Sequence, residues 1–308
     1  KPFMEGRRAV RLITSRSAAI TNALGARGEN ALEVSKMALD EAAELLLTRL
    51  APEQRPAERS QFIAFAAELG GWALLINLAG AHIADFVEND GMSALEALAE
   101  ERTRLREQGF AIFDPEDETA RDRAIGANLA LSLRRLGKWQ ERFEELAIFP
   151  EDTDVPLAAI AKLWRACAGL SEGDSKEALR AMQRLSLFSA YQMSETSQSA
   201  ELQDQKKKTG SFARLHDVIR KYLRSRLGAR LPELHKKFLK AYGVENWADL
   251  PRDEPYLWDY LAYHLLEADK RAELRAALLD YRYLQAKLGA RRQRAAERFR
   301  CLFERRRR

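Results

Sequence analysis

The sequence predicts a mainly α fold, a series of helical units interrupted by one short β-hairpin. Three observations carry this prediction. The 308 residues include only 16 Gly and 9 Pro, too few for an all-β architecture with its many tight turns. Apolar residues recur at one-turn spacing through most of the chain. Strand-like runs are confined to residues 9–13, the neighbourhood of 189–192, and 212–215.

Taken in order, "AVRLI" (Ala9–Ile13) is a β-like run ended by Thr14-Ser15-Arg16. A lone strand cannot bury both faces, so its partners are expected outside this chain. From Glu29 to Gln108 the pattern is helical. "ALDEAAELLLTRL" puts Leu39, Ala42, Leu46 and Leu50 on one face. "RPAERSQFIAFAAELGG" has Pro56 near its start and Gly70-Gly71 at its stop, the usual asymmetry of helix ends. "WALLINLAGAHIADFVEND" and "SALEALAEERTRLREQG" complete a four-helix unit whose short loops imply antiparallel neighbours.

A second unit starts near Asp114, with helical segments at "ETARDRAIGANLALSLRRLG", "KWQERFEELAIFPED", "VPLAAIAKLWRACAG" and "DSKEALRAMQRLSLFS". The polar stretch "MSETSQSAELQDQKKKTG" follows, then "SFARLHD". Helices followed by a hairpin with a polar tip describe a winged helix, with Lys206, Lys207 and Lys208 at the wing tip. A third helical unit runs from Leu231 to Ala290, and Tyr256, Trp258, Tyr260 and Tyr263 crowd one of its helices. Packing between helices is the expected role of those rings.

Charge is unevenly placed. Residues 291–308 hold nine Arg against two Glu, and the rest of the chain carries 42 basic and 44 acidic residues. The basic footprint of a nucleic-acid surface is thus missing from the folded part, and nucleic acid is not an expected partner. Cys167 and Cys301 stand far apart in no metal-ligand spacing, which fits a reducing cytoplasm. No signal peptide is visible, and the start at Lys1 suggests a fragment or a processed chain. The most apolar stretch is interrupted by Asn77 and His82 and falls short of a membrane span, so no membrane is expected.

Catalytic patterns are absent. His82, His216, His235 and His264 are scattered, with no HExxH pair or Cys/His cluster, so no metal site is expected. There is no G-x-S-x-G and no phosphate-cradling G-x-x-x-x-G-K-[ST]. The chain is expected not to be an enzyme.

At the junction of strand and helix lies "SFARLHDVIRKYLR" (Ser211–Arg224). Here "HD" can be read as the polar start of a helix, with Asp217 as its N-cap. Four ordered stretches offer a second reading. "RLITSR" (Arg11–Arg16) resembles the last strand and sensor of an NB-ARC nucleotide-binding domain, usually "LLTTR", whose arginine senses the terminal phosphate. "ELGGWALLINLAG" resembles that family's "GGLPLAL" helix start. "RFEELAIFPEDTDVPLAAIAKLW" resembles its winged-helix opening "LAIFPED…IP…LW", and "RLHDVIRKYL" its "MHD" motif. The closing "YLAYHLLEADKRAELRAALLDYRYLQAKLG" resembles the helical domain of the apoptotic protease-activating factor type, which in bacterial relatives often precedes a WD-repeat propeller. The resemblance covers about residues 9–290.

It implies the regulatory part of a STAND-type signalling ATPase, mainly α with a remnant strand of an α/β nucleotide-binding domain. Residues 1–25 would be that remnant, 26–110 the first helical domain and 111–227 the winged helix. Residues 228–290 would be the second helical domain and 291–308 a disordered Arg-rich tail. Arg16 matches the sensor arginine, and His216 the histidine on the β-phosphate of ADP. Asp217 would brace the turn, and Gly71 and Trp72 would shape the pocket. Leu215 replaces the motif's methionine, and Ala73 replaces a proline that packs by the adenine. The P-loop and Mg²⁺-binding strand would precede Lys1, and a propeller would follow Ala290. ADP or ATP would bind only with a nucleotide-binding core supplied outside this chain, and a homo-oligomer would form on activation. The alternatives are a winged-helix DNA-binding regulator, reading through Lys176, Arg180, Gln183 and Arg184, or a decayed fragment.

Overall fold

A computed structural model describes residues 37–108, 118–193 and 211–292, with isolated positions at 20, 23, 25 and 32. Of residues 118, 119, 121 and 122 only the helical backbone is described. The strand expected at 9–13, Arg16, the three lysines 206–208 and the tail from 293 lie outside the described residues. The chain divides into two units, Lys1–Met37 and Ala38–Arg308, and the following concerns the second.

The fold is mainly α with a small three-stranded sheet. Helices α1 (Leu39–Leu47), α2 (Ser60–Glu68), α3 (Ala73–Asn89) and α4 (Ala94–Glu107) come first. Gly70 and Gly71 both take positive φ (65° and 63°), which ends α2 sharply and lets α3 begin two residues later. α3 is buried on nearly all sides, as its near-continuous apolar sequence requires. A Cβ on Gly80 would stand 3.0 Å from the Leu46 carbonyl oxygen, so glycine sets how closely α3 crosses α1. Ser93 and Glu96 form a capping box that starts α4.

α5 (Glu118–Leu136) packs on α3, α4 and, further along the chain, the helix Asp217–Leu227. It is followed by α6 (Gln140–Glu145), α7 (Leu157–Ala168) and α8 (Glu172–Arg184). Strands β1 (Val155–Pro156), β2 (Phe188–Gln192) and β3 (Phe212–Leu215) form an antiparallel sheet ordered β1-β3-β2. β1 departs from the sequence reading, which starts a helix at Val155. Pro156 lacks an amide hydrogen, and it lies on an edge strand where no ladder donor is required.

After β3 come α9 (Asp217–Leu227), α10 (Leu231–Lys240), α11 (Pro255–Glu267), α12 (Arg271–Leu279) and a last helix, α13, over residues 281–292. Tyr256 and Trp258 are buried, as expected of a packing stripe. The sequence reading begins a disordered tail at Arg291. Instead the helix continues through residue 292, and Arg291 Nε lies 3.4 Å from Asp259 Oδ1.

Candidate functional site

β3 delivers His216 to the start of α9. The register of β2 on β3 slips between Phe188 and Ala190, and Ser189 Oγ there donates to the carbonyls of Arg214 (3.3 Å) and Leu215 (3.4 Å). His216 keeps an extended backbone (φ −73°, ψ 136°) while its carbonyl accepts the first helical bond, from Arg220 N–H. Its ring does the capping: Val218 N–H donates to His216 Nδ1 over 3.4 Å. The sequence reading assigns this cap to Asp217, which is instead the first helical residue and is exposed. A carboxylate there still suits the positive end of the helix dipole.

Because Nδ1 accepts, the proton of the neutral ring sits on Nε2. Burial lowers the His216 pKa from its ordinary 6.5, and the carboxylates of Asp217 and Asp152 oppose that shift only in part. The ring is therefore a neutral donor at pH 7. A small hollow reaches Leu215, the residue before His216, and is lined also by Leu146, Phe149, Thr153, Val155 and Ile160. It has room for about one water and none for a nucleobase.

Gly71 and Trp72 stand at the start of another helix, α3, where Trp72 is the half-buried N-cap residue. His216 and Asp217 open α9, Gly71 and Trp72 precede α3, and Arg16 is outside the described residues. α3 is tied to the approach to β2 by Ser186 Oγ, which donates to Asn77 Oδ1 over 3.3 Å.

Sequence reasoning missed the residues that hold α9. Arg220 is buried, and its Nε donates to the Phe149 carbonyl. Its Nη1 donates to Glu151 Oε1 (3.0 Å) and its Nη2 to the Tyr263 hydroxyl (2.8 Å). One turn on, Arg224 Nη2 donates to Glu267 Oε2 over 2.7 Å. The "FPED" turn, α9 and α11 thus meet on two arginines. The sequence signal was their i, i+4 spacing, which places both on one face.

Three further polar clusters are buried. His82 bridges Glu101 Oε1 (2.9 Å) and Ser132 Oγ (2.8 Å), joining α3, α4 and α5. Glu144 accepts from Arg226 and Arg230. Beside it Glu145 pairs with Arg142 (2.7 Å), yet burial outweighs that partner and raises its pKa to about 7. The adjoining Cys167 thiol is pushed up to about 11, mainly by burial. His235 and His264 face each other at the centre of the last helices.

The helix expected to read DNA in the alternative reading, α8, is partly neutralised. Lys176 pairs with Glu172 and Glu177 with Lys138, which leaves an ordinary solvated face. Among the described residues no cluster of three or more His, Cys, Asp or Glu could hold a metal ion, and no helix is long and apolar enough to cross a membrane.

A family model described as the APAF-1 helical domain matches residues 231–295, from the start of α10 through α13. No curated protein matches the chain. The C-terminal helices are an APAF-1-like helical region.

Proposed function

We propose that this chain is the regulatory and interaction part of an APAF-like signalling protein, and that it works as a nucleotide-dependent switch of the NB-ARC, STAND-type kind. The observation that carries the reading is a juxtaposition. The helix capped by His216 is clamped, through Arg220 and Arg224, onto the region that matches the APAF-1 helical domain. α7 and α8 followed by the β2–β3 hairpin support reading that module as a winged helix.

In this reading a nucleotide-binding core outside the chain supplies the P-loop and Mg²⁺ site. ADP bridges core and winged helix, with the His216 Nε2 proton donated to a β-phosphate oxygen. Arg16 senses the terminal phosphate, and Gly71 and Trp72 shape the pocket. Exchange for ATP removes the His216 contact, so the modules rotate and a homo-oligomer assembles. A WD-repeat propeller is the partner proposed for the C-terminal side. The chain by itself hydrolyses no ATP.

The test restores the family's nucleotide core and measures ADP and ATP affinity by calorimetry for wild type and His216→Ala, with particle size by light scattering. ADP binding should weaken by about 1.5–3 kcal/mol, the worth of a charge-assisted hydrogen bond. ATP binding should weaken much less, and the population should shift toward assembly. Equal losses for both nucleotides, or none, would leave His216 as a helix cap only.

A further inference from the structure

His235 (α10) and His264 (α11) are both fully buried, with their Nδ1 atoms 2.9 Å apart. Two nitrogens at that distance must be one donor and one acceptor. The surroundings fix which is which. On the far side of His264, Nε2 lies 2.8 Å from the Tyr256 hydroxyl. On the far side of His235, Nε2 is buried with no hydrogen-bond partner and lies 3.9 Å from Glu267 Oε2. A lone pair aimed at a carboxylate is repelled, so His235 carries its proton on Nε2. His235 Nδ1 then accepts from His264 Nδ1–H, and His264 Nε2 accepts from Tyr256 O–H. The chain of bonds has one direction and needs both rings neutral.

We infer that His235 and His264 form an acid-operated latch: as neutral rings they lock α10 to α11 and leave Glu267 free to hold Arg224 of α9, and an added proton opens the lock and releases α9 from the C-terminal helices. An imidazolium at His235 would set N–H against N–H. Turning the His264 tautomer relieves this only if the Tyr256 hydroxyl swings its proton away to accept from Nε2–H, which takes that buried proton off its one acceptor, His264 Nε2. The charges facing the pair are Arg220 and Arg224 from α9 and Glu267 from α11. Tyr256, Tyr260 and Tyr263 of α11, with Tyr242 just beyond α10, complete its titratable neighbours. Two guanidiniums against one carboxylate oppose a further positive charge. The new cation would also compete for Glu267, whose present partner is Arg224 at 2.7 Å.

Burial lowers both histidine pKa values, that of His235 to about 4. The unfolded rings titrate near 6.5, so below that pH the unfolded state binds more protons than the folded one. The latch is complete above pH 6.5 and weakens as pH falls toward 4.

The test is hydrogen exchange by mass spectrometry on the full chain between pH 7.5 and 4.5, corrected for the intrinsic rate. Protection in α9 and α11 should fall at least tenfold more over that range in wild type than in His235→Phe, which has no ring to protonate. Equal acid loss in both proteins would overturn the proposal. If His235→Phe does not fold at pH 7.5, ring nitrogen shifts of the wild type decide the matter. Two neutral rings at pH 5.5, with protection in α9 and α11 already lower there than at pH 7.5, support the latch. Rings titrating near 6.5 in the folded protein, or protection unchanged down to pH 4.5, overturn it.

Discussion

Arg220 Nη2 donates to the Tyr263 hydroxyl over 2.8 Å, joining the helix that begins at His216 to the APAF-1-like region. The same guanidinium serves the Phe149 carbonyl and Glu151, so one buried cation satisfies three acceptors from two further segments. Removing it leaves the Phe149 carbonyl without this donor, while the exposed Glu151 turns to water and Tyr263 keeps Arg224. Arg220→Ala should therefore cost about 1–3 kcal/mol in urea unfolding. Arg220→Lys should recover only part of that, because an ammonium cannot present a planar fork. A loss for the alanine variant below about 1 kcal/mol would mean that the clamp is solvated.

Gly80 gives a purely steric prediction. A Cβ there meets the backbone of Leu46, with the carbonyl oxygen at 3.0 Å and Cα at 3.2 Å, and backbone yields less readily than a side chain. Gly80→Val should lower stability by about 1–3 kcal/mol, with Gly80→Ala lower by less. Gly173, where a Cβ meets nothing closer than Ser171 Oγ at 3.7 Å, is the control, and Gly173→Ala should be neutral or stabilising. Thermal melting of the three variants checks the order.

Glu145 predicts a pH dependence near neutrality. Its carboxyl is raised from 4.5 to about 7, burial being the largest cause. The folded chain then keeps a proton that the unfolded chain releases. The contribution is complete below pH 4.5 and is lost as pH rises through 7. Glu145→Gln should flatten the stability profile between pH 5 and 8. At pH 8 it should be more stable than wild type by about 1–2 kcal/mol. Denaturant titrations at three pH values suffice, and parallel profiles for the two proteins would show that Arg142 holds the carboxylate charged.

For His216, tautomer is the sharpest readout. Nitrogen chemical shifts at pH 7.5 should place the proton on Nε2, and the ring should titrate below its ordinary 6.5 because burial disfavours the cation. Its cap bond is long at 3.4 Å, so His216→Ala in the isolated chain should cost no more than about 1 kcal/mol. His216→Asn, which can cap through its side-chain oxygen, should cost less. A proton found on Nδ1 would remove the ring from the cap.

Much of this fold was legible because its helices announce themselves. Gly70-Gly71 stops α2, and the apolar spacing of α1 gives Ala42 and Leu46 of its buried face, while Leu39 of the same stripe is exposed at the helix start. β1 was hidden, since two residues carry no period and Val155-Pro156 reads as a helix start. The strand-to-helix seam at His216 was visible, but which side chain caps it was not. That choice depends on the backbone angles of one residue, and Asp217 was the better cap by type alone. The partners of Arg220 lie 71, 69 and 43 residues away in sequence, and no local pattern encodes a bond of that reach. The facing histidines look scattered in sequence, because 29 residues separate a pair that two helices bring into contact.

α5 has a consequence for dissecting the chain. One stretch of it carries Ser132, on which His82 of α3 rests, and Arg135, whose Nη1 donates to Asp90 over 2.8 Å. Another stretch carries Gly126, where the ring of Tyr222 from α9 leaves only 3.4 Å for a Cβ. The helix is a party wall, built into the rooms on both sides. A polypeptide cut before Glu118 would expose the underside of α3 and leave a buried imidazole facing water. One cut after Leu136 would strip α9 of the floor beneath its tyrosine. Neither half is expected to express as a well-behaved monomer, whereas the two produced together should recover each other by complementation.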